Sequence, residues 1–320
     1  MSANILITSA GQRVSLVEIF KHTAAQLGCP SKVFTADLNP TMAPACYISD
    51  HSFEICRCDS PEYIERLLTL CTENDIAVVV PTIDTELLNL AAHKEKFAAA
   101  GIQVMVSDEA FIRLCRDKRE TAKLFDKLGI ERPAPIDKHN PRFPMFAKPY
   151  DGSLSANIHL IRHAQELTED ILNDPKLIFM DYIDPARFKE FTVDMYYGRD
   201  HRVKAIVPRE RIKIRAGEIN KGIALKNAIV PYLRQRMETL PGVIGTICLQ
   251  LFYEEESKQI YGIEINPRFG GGYPLSYYAG ANFAEYILRE YVMKQGVDYS
   301  EDWKDKTLML RYDKEVIAQL

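Results

Sequence analysis

Apolar positions over the first hundred residues switch between two rhythms. Residues 4–8 form a short apolar run of the buried-strand kind, and Leu16, Phe20, Ala24 and Leu27 then recur at helical spacing. Residues 32–36 predict a second strand. Ser60-Pro61 reads as a cap followed by a proline at the first helical position, opening a helix through Leu67, Leu68 and Cys71. The mostly β-branched run 76–80 predicts a third strand, the Leu- and Ala-rich stretch 86–100 a helix, and residues 102–106 a closing strand. This βαβα order predicts a doubly wound parallel sheet covered on both faces. Ligands on such sheets sit at the carboxyl ends of the strands. Two loops lie there, residues 9–13 and 81–86.

The rhythm then changes. Two helices are predicted at 109–115 and 119–128, the second stopped by Gly129, and Pro133, Pro135, Pro141 and Pro144 punctuate the passage into a new domain. Strands are predicted at 145–148, 157–161, 177–183, 191–197 and 202–207, with a hairpin of 246–253 and 261–266. Ala284, Ile287, Leu288, Tyr291 and Val292 mark the apolar face of a covering helix. The second half therefore reads as antiparallel α+β. The predicted division is an α/β domain over 1–112 and a two-lobed module over 113–320, with one lobe at about 138–184.

The densest chemical signal is the end of that hairpin, Tyr261-Gly262-Ile263-Glu264-Ile265-Asn266-Pro267-Arg268-Phe269-Gly270-Gly271-Gly272. Period-two alternation puts Glu264 and Asn266 on one face. Folding the hairpin brings Gln250 opposite or diagonal to Glu264. Oxygen donors sharing a face suit a hard cation such as Mg²⁺. Arg268 offers a fixed fork of donors for phosphate, and the glycines allow close approach to the backbone. The alternative is a strand with a solvated polar face.

Other signals are weaker singly. Lys148 ends a strand beside the small polar loop Asp151-Gly152-Ser153-Leu154-Ser155, as a phosphate clamp or as an exposed lysine. The stretch 179–183, a break, and 189–194 could offer free backbone groups to a purine edge and Glu190 to ribose hydroxyls, or could be two ordinary strands. Arg13 could hold an anion or lie on the surface. Asp84 and Glu86 could bind a substrate amine or hydroxyl, or could cap the next helix.

Composition narrows the classes. A net charge of −4 does not suggest a nucleic-acid binder. No apolar run approaches the roughly 20 residues that span a bilayer, and the first residues enter a strand without a leader-like pattern. The seven scattered cysteines read as reduced thiols, and Cys56-Arg57-Cys58 is too tight for a usual zinc site. A cytoplasmic protein is expected.

Taken in order, several passages resemble the ATP-grasp superfamily, and in particular its short carbamoyl-phosphate-synthase-like members of carboxylate–amine ligase type. They are Asp117-Lys118, Gly129-Ile130, Pro133, the Lys148 strand with Gly152-Ser153, residues 180–183, Glu190-Phe191-Thr192-Val193-Asp194, Gln250, and Glu264-Ile265-Asn266-Pro267-Arg268. The resemblance implies ATP and Mg²⁺ (or Mn²⁺) as cofactors. Lys118 and Lys148 would contact phosphates under a loop formed by Asp151, Gly152, Ser153 and Ser155. The backbone of Met180, Asp181, Tyr182 and Ile183 would face adenine, and Glu190 the ribose. Gln250, Glu264 and Asn266 would hold the metal, a Gln in the first place being a variant of the synthase-like group. Arg268 would stabilise the transferred phosphoryl group. The run Pro208-Arg209-Glu210-Arg211-Ile212-Lys213-Ile214-Arg215 looks like the family's basic strand near the γ-phosphate and acyl group. Alternation puts Arg211, Lys213 and Arg215 on one face, and Lys213 and Arg215 are singled out for catalysis. Substrate pockets in this superfamily are built by variable loops, which places Arg13, Asp84, Glu86, Gly271 and Tyr273 beside the substrates.

The implied reaction is ATP-dependent ligation of a small carboxylate to an amine through an acyl phosphate, in a chain with no membrane partner and a possible homodimer. The alternatives are carbamoyl-phosphate-type chemistry on bicarbonate or carbamate, and a non-catalytic ATP-binding regulatory protein. Two features depart from the family pattern. The loop has one glycine where relatives have several, and residues 184–189 lengthen the hinge connection.

Overall fold

The computed structural model describes residues 3–152, 157–215 and 217–319. Its N-terminal sheet is parallel and contains β1 (Asn4–Thr8), β2 (Val33–Asp37), β3 (His51–Glu54), β4 (Ile76–Pro81) and β5 (Gln103–Val104), in the order β3-β2-β1-β4-β5. Alternate strand residues face opposite sides. Ile5, Ile7, Val78 and Val80 pack with Val17 and Phe20 of the helix Val14–Gln26. Leu6 and Val79 pack instead with Leu67 of Tyr63–Glu73 and with Leu87 and Leu90 of Asp84–Ala99. Burial on both faces explains the near-continuous apolar reading of these strands.

The helix start at Ser60-Pro61 and the strand at 102–106 need correction, and one strand, β3, was not anticipated. The Ser60 hydroxyl accepts from the Glu62 amide at 3.4 Å, so Ser60-Pro61 forms a turn and the helix starts at Tyr63. Strand β5 keeps only two residues, because the Val106 amide turns back to the Val104 carbonyl. Strand β3 carries no apolar rhythm, since His51 and Glu54 are exposed at the sheet edge.

The remaining strands are antiparallel. A small sheet contains β6 (Met145–Pro149), β7 (His159–Ile161) and β8 (Leu177–Asp181), in the order β7-β6-β8. The large sheet contains β9 (Lys189–Tyr197), β10 (Val203–Arg215), β11 (Glu218–Ala224), β12 (Gly245–Tyr253), β13 (Ile260–Asn266) and β14 (Thr307–Leu310), in the order β13-β12-β9-β10-β11-β14. The expected covering helix runs as an α-helix over Phe283–Ile287 and a π turn over Leu288–Val292, and buries Ala284, Ile287, Leu288 and Tyr291. The helix Lys118–Leu128 ends at Gly129, whose φ of 67° is the left-handed conformation that glycine adopts most readily.

The cores show what can move. One apolar cluster joins Ile5 and Phe20 of the parallel-sheet unit to Val193, Leu249 and Ile265 of the large sheet. The three-stranded lobe has its own small core of Ile136, Met145, Ala147, Ile161, Leu177 and Phe179. Few buried apolar contacts tie it to the rest, the usual condition for a mobile element. Among the described residues, no helix is long and apolar enough to cross a membrane.

Candidate active site

The three-stranded lobe, the large sheet and the carboxyl ends of the parallel strands meet at one cleft of about 990 Å³. One of its walls is built by alternation. Gln250 of β12 stands directly opposite Glu264 of β13, and the Asn266 side-chain amide donates to Glu264 Oε1 at 3.2 Å. The three side chains share one face of the hairpin, and all line the cleft.

Two lysines approach this face. Lys118 Nζ lies 3.5 Å from Glu264 Oε2 and donates to the Gly152 carbonyl at 2.5 Å. Lys148, buried at the end of β6, has its pKa lowered to about 8. Burial is the main cause, Lys118 adds to it, and Glu264 opposes it. Glu190 pairs with Arg211 Nη1 at 3.3 Å, and burial raises its pKa, with Arg211 opposing and Glu264 adding.

The break between β8 and β9 also opens on the cleft, through Met180, Asp181, Tyr182 and Ile183. The Asp181 amide is taken by the Ala134 carbonyl at 2.9 Å. The Asp181 carboxylate pairs with Arg142 at 2.7 Å. Asp151 pairs with Lys176 at 3.3 Å rather than lining the cleft, whereas Gly152 does line it. Ser153 and Ser155 lie outside the described residues.

The other end of the cleft is a cluster of ion pairs. Arg268 directs Nε and Nη2 to Asp84 Oδ2 at 3.0 and 2.5 Å, and Nη1 to the Phe269 carbonyl at 3.2 Å. Burial opposes the charge on Arg268, yet Asp84 carries its pKa above the ordinary value. Arg13 Nη1 meets Glu218 Oε1 at 3.2 Å, and Arg311 Nη1 meets Glu218 Oε2 at 3.0 Å. Arg311 also donates to the Gly271 carbonyl at 2.5 Å. Beneath them Arg209 and Asp194 form a fully buried bidentate pair at 2.7 and 2.8 Å.

Several expected site residues lie elsewhere. Lys213 and Arg215 do not line the cleft, and Arg215 pairs with Asp313 at 2.5 Å on the surface. Register shifts around Lys213 interrupt the alternation of β10, so Ile214 faces the cleft in their place. The basic residues of β10 that reach the cleft are Arg209 and Arg211. Glu86 is buried as a cap, accepting from the amides of Thr82 and Ile83 at 2.9 and 3.2 Å and from the Tyr63 hydroxyl at 3.0 Å. Tyr273 is buried in the core, and its hydroxyl accepts from the Phe283 amide at 2.6 Å. The glycine run lines the cleft but also seats this chain's own charges. A Cβ at Gly271 would stand 2.0 Å from Glu218, and one at Gly272 would stand 2.2 Å from Arg209.

Arg209 and Arg211 were expected in the basic strand but not singled out from it, and Glu218 and Arg311, which complete the cleft, carried no signal in the sequence. Asp194 and Arg209 sit on apolar strands, and a charge inside such a strand is the signal that could have flagged them.

Residues 173–314 match the family described as "ATP-grasp in the biosynthetic pathway with Ter operon". That segment is an ATP-grasp module. Residues 5–105 match the "PylC-like, N-terminal domain" family. No curated protein matches the sequence. Among solved structures, the biotin carboxylase domain of Hydrogenobacter thermophilus 2-oxoglutarate carboxylase, in complex with MgADP, ADP and bicarbonate, is similar at TM-score 0.72. It is 14% identical, over 95% of this chain and 73% of that one. N5-carboxyaminoimidazole synthetase from Staphylococcus aureus, complexed with ADP, gives TM-score 0.70 and 17% identity, over 96% and 80%. L-amino acid ligase from Bacillus licheniformis gives TM-score 0.65 and 19% identity, over 91% and 74%. These likenesses show that the ATP-grasp fold extends over nearly the whole chain.

Proposed function

We propose that this chain is an ADP-forming ligase that joins a carboxylate to an amine through an acyl phosphate. The observation that carries the reading is the convergence of Lys118, Lys148, Glu190, Gln250, Glu264 and Asn266 on one cleft. The solved relatives bound to ADP and MgADP support it. In this reading residues 1–112 form the α/β domain, residues 113–320 the ATP-grasp module, and the lobe at about 138–184 is a lid. The motif set fits the short carbamoyl-phosphate-synthase-like type.

ATP would lie between the lobe and the large sheet, with Lys118 and Lys148 on the phosphates, residues 180–183 at the purine and Glu190 at the ribose. The cleft fits Mg²⁺ or Mn²⁺. Among the described residues no group of three His, Cys, Asp or Glu side chains could hold a metal. A site here must therefore combine a carboxylate with amide oxygens. Glu264 with Gln250 and Asn266 is such a set, and Mg²⁺ commonly needs only one or two carboxylates besides phosphate and water. When bound, the ion would neutralise phosphate charge.

The chemistry asks mainly for positioning and charge neutralisation. The carboxylate oxygen attacks the γ-phosphorus and ADP leaves. The amine nitrogen then attacks the acyl carbon, the C–O bond breaks, phosphate departs and the nitrogen loses a proton. Arg268 lies two residues beyond Asn266 and lines the same cleft, between the metal set and the ion pairs at its far end. Arg211 takes the role expected of Lys213 and Arg215. Its Nε is buried without a partner among the described residues.

The test is the product set. Mg-ATP with the true carboxylate yields ADP, and hydroxylamine in place of the amine yields a hydroxamate. AMP and pyrophosphate in place of ADP would overturn the reading.

Lys148 supplies a second expected result. Its pKa, lowered from 10.5 to about 8, means that folding expels a proton between those values. Stability is therefore gained as pH rises through that window and lost as it falls towards 8. Bound phosphate favours the charged lysine, so ATP affinity falls as pH climbs above about 8. Lys148→Ala removes that dependence and weakens ATP roughly tenfold to a hundredfold while sparing adenosine. Titration calorimetry against pH reads both, and equal loss of ATP and adenosine would assign Lys148 a structural role instead.

A further inference from the structure

The ion pairs at the end of the cleft have crossed polarity. The loop after β1 supplies a cation, Arg13, and the start of the helix after β4 an anion, Asp84. The ATP-grasp module supplies the opposite partners, Glu218 and Arg268. All four residues line the cleft. The two pairs are close enough to influence one another: Arg268 and Arg311 depress the Arg13 pKa beyond the effect of burial.

None of the four groups is saturated. Arg13 has five N–H donors, and among the described residues only Nη1 is engaged, with Glu218. Asp84 accepts Arg268 on Oδ2 alone, leaving Oδ1 free among the described side-chain contacts. Glu218 takes one arginine on each oxygen, which leaves lone pairs on both. The side chains of Arg13 and Asp84 remain 20% and 25% exposed. Gly271 keeps Glu218 in place, because any side chain there would collide with its carboxylate. A surface that presents spare donors beside spare acceptors matches a ligand carrying both charges.

The geometry points to a seat for a zwitterion, an α-amino acid that serves as the nucleophile. Its carboxylate docks on the free donors of Arg13, and its ammonium lies between Asp84 and Glu218. Arg268 links the seat to the phosphate end, so the nitrogen arrives beside the acyl carbon. The ammonium first passes one proton to Asp84 or Glu218; the freed amine then attacks the acyl carbon, the C–O bond to phosphate breaks, phosphate leaves, and the nitrogen gives up a second proton. The inference rests on the ligase reading and names the class of its second substrate.

The test uses the full chain and the standard L-amino acids as probes, each beside its decarboxylated amine and its deaminated acid. Thermal melting without nucleotide reads the seat alone. At least one amino acid raises the melting temperature of the wild type, and its amine and acid counterparts do not. Arg13→Ala and Glu218→Gln each weaken that binding about tenfold to a hundredfold, and Arg13→Lys recovers part of it. A merely structural role would lower the melting temperature of the variants without changing their discrimination between amino acid and amine. Amine and amino acid binding equally well, no amino acid binding at all, or unchanged affinity in both variants would overturn the seat. Hydroxamate formation from Mg-ATP and carboxylate reads the ligase chemistry separately, since hydroxylamine does not need the seat. Hydroxamate without amino-acid selectivity sinks the seat alone. Amino-acid binding with AMP as product sinks the ligase reading and leaves the seat standing.

Discussion

Replacing Glu264 by Gln is expected to lower Mg-dependent ATP turnover by about a hundredfold or more while leaving the fold intact. The side chain is 23% exposed and touches Lys118 and Asn266 rather than the apolar core. Its loss therefore costs little stability. It removes the sole carboxylate of the Gln250–Glu264–Asn266 set, and amide oxygens hold a hard cation less well. Charge adds a second consequence. Glu264 supports the protonated form of Lys148, so the variant loses ATP affinity at a lower pH than the wild type. Turnover against Mg²⁺ concentration, thermal melting and the pH profile of ATP binding check the three parts. Near-normal turnover in Glu264→Gln would remove the metal assignment, whatever the pH profile shows.

The sequence carried this wall of the cleft because the relevant physics is local. Two strands joined by a short polar turn have one favoured pairing. Alternation within each then decides which side chains share a face, and Gln250 does stand opposite Glu264. The parallel unit was legible for a similar reason, since strands buried on both faces read as apolar runs. Strand β3 was not, because an exposed edge strand places no demand for apolar residues on His51 or Glu54.

The far end of the cleft was harder to read. Alternation predicted that Arg211, Lys213 and Arg215 share a face, and a local shift of register broke that rule at Lys213. No composition rule announces such a bulge. The pairs Arg13–Glu218 and Asp84–Arg268 join residues far apart in the chain, 205 and 184 positions respectively. Only the packing of the parallel unit on the large sheet brings them together. The glycine run misled in a specific way. It was read as space for a ligand, yet at Gly271 and Gly272 much of that space holds Glu218 and Arg209.

That last contact sets up the largest expected effect on stability. Asp194 is fully buried and accepts four side-chain hydrogen bonds, from Arg209 Nε and Nη2 at 2.7 and 2.8 Å, Ser276 Oγ at 2.6 Å and Cys248 Sγ at 3.1 Å. Arg209 is as deeply buried, and Asp194 is what outweighs the burial that disfavours its charge. Asp194→Ala leaves that guanidinium unpaired in the interior. Breaking such a pair costs about 3–5 kcal/mol, a large share of the roughly 5–15 kcal/mol that holds a typical domain folded. Removing both charges is expected to cost much less, because the desolvation penalty leaves with them. The double variant Asp194→Leu with Arg209→Met should therefore recover a substantial part of the loss. It should not recover the site, because the glycine turn that carries Gly270 to Gly272 lies against Arg209. Denaturant midpoints for the two single variants and the double variant measure the stability effect, and the binding of Mg-ATP and of amino acids measures the functional one. If Asp194→Ala stays within about 1 kcal/mol of the wild type, far below the cost of an unpaired buried charge, the pair is not what holds the floor of the cleft.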